Sequence, residues 1–185
     1  MRRLLRLPTP TLRRLAAAAL GVGLAVYILA MVPPEQVMVA RGSGILGLEL
    51  AGTASEFTHI VTAWGEVGVE AARTQTGADF AFIASYGLLL TILAELGNRA
   101  GHLPRWTRYA VWLGPLAMVT DALENWAMLT GIRVLEYGGV PERSAALATA
   151  LAGVKFAAIA LAVVVLLAHV GAALLNRRTK VPLLP

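Results

Sequence analysis

The sequence predicts an all-α membrane protein: an antiparallel bundle of four transmembrane helices, with an extracytoplasmic amphipathic helix between spans one and two. Three observations carry this. Hydrophobic residues make up 57% of the 185 and charged residues only 15%, against roughly 45–50% and 25% in soluble domains. The mean hydropathy is +0.68, and a chain of this length cannot hide so much apolar surface from water. Four stretches have about the length needed to cross a hydrocarbon core of ~30 Å, and the cations alternate between the segments that flank them.

Span one covers about 15–32 and is expected to end at Pro33-Pro34, because proline lacks the N–H that continues a helix. Span two covers 79–96 and is expected to stop at Gly97-Asn98; span three covers 109–130 and is expected to stop at Gly131. Span four, 145–175, is long enough to tilt. Residues 1–14 form a basic N-terminal segment and 176–185 a tail, around a single transmembrane domain of 15–175. The N-terminal apolar run is longer than a signal-peptide core of about 7–15 residues, so it is read as an uncleaved span.

Orientation follows from charge. Arg2, Arg3, Arg6, Arg13, Arg14, Arg99, Arg105, Arg108, Arg177, Arg178 and Lys180 fall on one side; Arg41, Arg73, Arg133 and Arg143 fall on the other. Both termini are therefore expected in the cytoplasm, in a cytoplasmic (inner) membrane. The formal net charge of +5 places cations at membrane ends, where anionic lipids attract them. It does not form the basic, aromatic-interleaved stripe of a nucleic-acid binder. There is no Cys, which excludes disulfide exchange and thiolate ligation or catalysis.

Residues 33–78 form one long connection. Thr53-Ala-Ser-Glu56 reads as a capping box, and Phe57, Ile60, Val61, Trp64, Val67 and Ala71 then recur at helical spacing. His59, Thr62, Glu66, Glu70 and Arg73 take the opposite face, giving an amphipathic helix over about 54–73 that lies on the membrane or lids the bundle. The Gly-rich run 42–52 before it carries Glu49 and is short enough to dip into the interface. Trp64, Trp106, Trp112 and Trp126 read as interface anchors. In span four, Gly153 and Ala157 form a small-xxx-small pair.

Polar groups within spans are costly, about 2.5–3.5 kcal/mol for a central charge, and so point to a purpose. Asp79 and Tyr86 share a face of span two; Asp121, Glu124 and Asn125 share a face of span three; Lys155 lies in span four. At 1.5 Å per residue all of these except Asp79, which stands at the outer end itself, lie ~8–14 Å below the outer ends of their spans. One Lys cannot neutralise Asp79, Asp121 and Glu124 together. The surplus carboxylate must reach water, bind a cation or hold a proton.

Several readings stay open. The cluster is either a structural ion-pair network or the lining of a pocket for a small or lipid-derived ligand. In the pocket reading Asp121 and Glu124 carry the charge and Asn125 and Tyr86 orient the ligand. Lys155 is the counter-ion, and Asp79 and Glu49 line the mouth. As an enzyme, the chain would use Asp121 or Glu124 for acid–base chemistry on a lipid-soluble substrate. As an accessory subunit or homo-oligomer, it would pack through its small residues. A metal site is not assigned: no His pair has ligand spacing. No cofactor motif is present, since Gly21-Val-Gly23 lies inside a span.

The order Leu48-Glu-Leu-Ala-Gly-Thr53, Asp79-Phe80-x-Phe82-x-x-x-Tyr86, Asp121-x-x-Glu124-Asn125 and Lys155-Phe156 resembles a group of small four-span bacterial integral membrane proteins. The resemblance covers roughly residues 42–160. It implies that these residues form one set, and it brings no activity with it.

Overall fold

A computed structural model describes residues 6–101 and 103–178. Among them the structure is all helical, without strands. Arg2, Arg3, His102, Lys180 and the end of the basic tail lie outside the described residues, as do the side chains of Arg177 and Arg178. Three helical stretches are long and apolar enough to cross a membrane: Thr9–Val39, Ala54–Ala100 and Glu142–Asn176.

The first comprises α1 (Thr9–Val26), a π-helical turn (Tyr27–Met31) and α2 (Val32–Val39). It begins before the expected start at 15 and does not stop at Pro33-Pro34. The physical reason is the widened turn just ahead of the prolines. It re-phases the backbone, so that they fall in the first turn of α2, where no N–H is needed.

The short helix α3 (Ile45–Glu49) forms within the Gly-rich run 42–52. Its first N–H, on Ile45, donates to Glu35 Oε2 at 3.1 Å. The following helix, α4 (Ala54–Ala100), fuses the expected amphipathic helix and span two into one element. Thr53 Oγ1 accepts from the Glu56 N–H at 3.2 Å, the Thr half of the capping box. The Thr53 N–H instead donates to the Ala51 carbonyl at 2.7 Å.

At 1.5 Å per residue α4 is ~70 Å long, far more than a bilayer core. Gly65, at φ 59° and ψ −170°, breaks it, a conformation open only to glycine. Before the break Phe57, Ile60, Val61 and Trp64 are buried as expected. After it Val67 is exposed, and Gly68 and Ala72 turn inward instead. The first segment packs on Ala127, Met128 and Ile132 of α5 and on Ala145 and Ala148 of α6, covering that end of the bundle. The helix passes Gly97-Asn98 and ends at Gly101 in a left-handed cap, φ 70°.

A 3₁₀ segment (Arg105–Trp112) leads into α5 (Leu113–Glu136), which continues past the expected stop at Gly131. The chain turns at Gly138, φ 74°, and returns as α6 (Glu142–Arg178). Helix α5 packs along both α4 and α6. It is long enough to span, but Asp121, Glu124 and Asn125 make it too polar to stand with the three apolar stretches; all three side chains are buried among its neighbours. At the end that carries α1's first turns, Leu12 and Ala16 pack with Ile92, and Ala94 with Val111 and Val165. Large apolar side chains such as Leu29, Val119, Leu161 and Val164 are exposed around the waist, as a lipid-facing surface requires.

Candidate functional site

The polar residues of α4, α5 and α6 meet because small residues let their helices close. A Cβ on Gly114 of α5 would collide with the Gly87 carbonyl oxygen and Thr91 Oγ1 of α4. That close approach sets Tyr86 beside Asp121. The buried face of α6 is largely alanine (Ala145, Ala148, Ala152, Ala158 and Ala162), with Lys155 in its middle. Helix α3 and its flanking residues are tied down by two side chains, one from α4 and one from α6. The Trp64 indole donates to the Ser43 carbonyl at 2.6 Å. The Thr149 hydroxyl donates to the Glu49 carbonyl at 2.9 Å and accepts from the Gly52 N–H at 2.9 Å.

Lys155 Nζ is the hub. It donates to Glu49 Oε2 and to Asp121 Oδ1, each at 3.1 Å, and to Glu124 Oε1 at 3.0 Å. Glu124 Oε2 is nearer still, at 2.8 Å, but out of line for a hydrogen bond, so that contact is purely ionic. The three donors of the ammonium are thereby committed. The Tyr86 hydroxyl donates to Asp121 Oδ2 at 2.7 Å, and the Asn125 amide donates to Asp79 Oδ2 at 2.7 Å. Glu124 is fully enclosed, and Lys155 is 5% exposed. One ammonium faces three carboxyl groups, with that of Asp79 close by. Such a pattern leaves more carboxyl groups than cations in a medium that penalises unpaired charge.

Above this network lies a cavity of about 400 Å³, within the range of small-molecule sites, about 300–1,000 Å³. Its polar side presents Glu49, Gln75, Asp79, Tyr86, Asp121 and Lys155. Its walls are apolar, from Met31, Phe82, Leu90, Phe156 and Ile159. Half-exposed Leu46 and Phe156 place its mouth between α3 and α6. The Lys155 ammonium also lies 4.7 Å from the centre of the Phe156 ring.

The structure thus brings together Glu49, Asp79, Tyr86, Asp121, Asn125 and Lys155 around one cavity, with Glu124 beneath it. Glu49 is a direct partner of Lys155 and not only a residue of the mouth. Trp64 is buried in the core and is not an interface anchor, whereas Trp106, Trp112 and Trp126 are exposed. Gly153 and Ala157 face outward, away from the other helices. Among the described residues no group of His, Cys, Asp and Glu is arranged to hold a metal ion. Sequence reasoning passed over Gln75 and Thr76. Gln75 precedes Asp79 by four residues, which puts both on one face of α4, and that spacing was the available signal. Gln75 is 4% exposed, and its Oε1 has no hydrogen-bond partner.

No family model matches the chain, and no curated protein or solved structure is significantly similar to it.

Proposed function

We propose that the chain is a four-span protein of a bacterial cytoplasmic membrane, with both termini cytoplasmic, whose outward-facing cavity binds a small or lipid-derived ligand. The observation that carries this is the 400 Å³ cavity with an apolar wall and a carboxylate-rich polar side. A purely structural ion pair needs no room beside it, and it balances its charges. Burial of Asp121, Glu124 and Asn125 supports α5 as the fourth span, since its polar groups need not meet lipid. The end with Arg13, Arg14, Arg99, Arg105 and Arg108 is the more basic, which supports its cytoplasmic placement. The motif order from Leu48 to Phe156 supports membership of the small four-span group that the sequence resembles.

Mass spectrometry of the intact protein released from lipid nanodiscs tests the binding role. Wild type should carry a discrete added mass that Asp121→Asn/Glu124→Gln loses. A bare wild type would overturn it.

A second reading, an accessory subunit, is favoured by one feature. Gly153 and Ala157 lie open on the outer face of α6, with nothing within 4 Å of a Cβ at Gly153. Small residues facing lipid suit helix–helix docking. Gly153→Leu would then release a co-purifying partner while leaving the cavity intact.

A further inference from the structure

We infer that the ligand is a cationic amphiphile: an apolar chain ending in an ammonium group, whose head is held between Gln75 and Asp79. This rests on the ligand-binding reading above and names the chemical class it takes.

The polar groups around the cavity are not all matched to one another. The donors of Lys155, Tyr86 and Asn125 at the cavity are already directed at protein carboxylates. What the cavity offers in surplus is carboxyl groups over cations, beside a carbonyl oxygen of Gln75 that has no partner. Gln75 Oε1 is buried without a partner, and a buried orphan acceptor costs about 1–3 kcal/mol unless something satisfies it. Asp79 lies one helical turn further along the same face and accepts a hydrogen bond from Asn125.

An ammonium group supplies both what is missing, hydrogen-bond donors and a positive charge. A carboxylate or phosphate head would instead be set among Glu49, Asp79 and Asp121 and be repelled. A hydroxyl head would satisfy Gln75 but leave the charge. The rest of the ligand must be apolar, because Phe82, Leu90 and Ile159 line the same cavity. Phe82 lies 5.5 Å from the Tyr86 ring, and aromatic faces also favour cations. A mouth between α3 and α6 at membrane depth would admit such a molecule from the bilayer.

The test uses full-length protein in nanodiscs of zwitterionic phosphatidylcholine, loaded in turn with decylamine, decanol or decanoate. Adducts are counted by mass spectrometry of the intact protein. Decylamine occupancy should exceed that of decanoate by about tenfold or more. Gln75→Leu and Asp79→Asn should each lower it about fivefold or more, with thermal midpoints near wild type. Should Asp79→Asn fold poorly, the near-isosteric Gln75→Met decides. Decanol or decanoate binding as well as the amine would overturn the cationic head while leaving the cavity reading intact. Full amine occupancy in folded Gln75 and Asp79 variants would overturn the head site. Absence of all three adducts would overturn the cavity reading with it.

Discussion

Lys155 on α6 and Glu49 on α3, 106 residues apart in the chain, form an ion pair of 3.1 Å inside the bundle. That pair draws a short loop helix onto the buried polar network of α5 and α6. It closes one side of the cavity and adds a third carboxylate to the lysine.

Replacing the hub leaves Glu49, Asp121 and Glu124 facing one another without a cation. Removing one member of a buried ion network costs about 3–5 kcal/mol. Lys155→Met should therefore lower the thermal unfolding midpoint in detergent by many degrees. Adding Glu49→Gln, Asp121→Asn and Glu124→Gln should recover most of the loss, because the uncompensated charge goes with them.

Tyr86→Phe removes one hydroxyl and its 2.7 Å bond to Asp121. The network keeps its lysine, so the loss should be about 2 kcal/mol, the range of a hydrogen bond to a charged group. Parallel unfolding curves should rank it well above Lys155→Met in stability.

Two glycines should respond oppositely to alanine. At Gly114 a Cβ meets the α4 backbone at Gly87, so Gly114→Ala should cost about 1–3 kcal/mol, as overpacking does, and loosen Tyr86 from Asp121. At Gly153 a Cβ meets open space, and Gly153→Ala should raise helix stability by up to about 1 kcal/mol. Midpoints of the two variants, measured side by side, check this.

The chain contains no Cys, so single cysteines report topology without background. Exposed Ser55 and Tyr137 should, as cysteines, react with a membrane-impermeant maleimide on intact spheroplasts. Arg105→Cys should react only once the membrane is opened. Labels at 105 and 137 on the same side would deny α5 its role as a span.

Much of this was legible in the sequence, and the reasons for the rest are physical. Helix type follows from apolar run length, and the buried stripe of α6 follows from its alanines. Asp121, Glu124, Asn125, Tyr86 and Lys155 declared themselves by being polar in apolar surroundings. Helix ends were less legible. Pro33-Pro34 reads as a stop only if the turn before it is regular, and here a π turn re-phases the chain. Gly131 reads as a stop but is buried against Phe57 within α5. The fusion of the amphipathic segment with span two hid behind Gly65, whose break leaves both sides helical. Glu49 looked like a loop residue because its partner lies on another helix, and such pairing has no local signature. Gln75 was missed because a neutral amide attracts no notice until its carbonyl is found without a partner.

The central claim, that the cavity beside Lys155 is a ligand site, is tested most directly by filling it. Ile159 lines the cavity and makes no bond in the Lys155 network, so Ile159→Trp adds bulk there while keeping every polar group of the network. Intact-protein mass spectra from nanodiscs should show the wild-type adduct absent from Ile159→Trp, with the unfolding midpoint near wild type. An adduct retained at full occupancy by the folded variant would place that molecule elsewhere on the protein and contradict the claim.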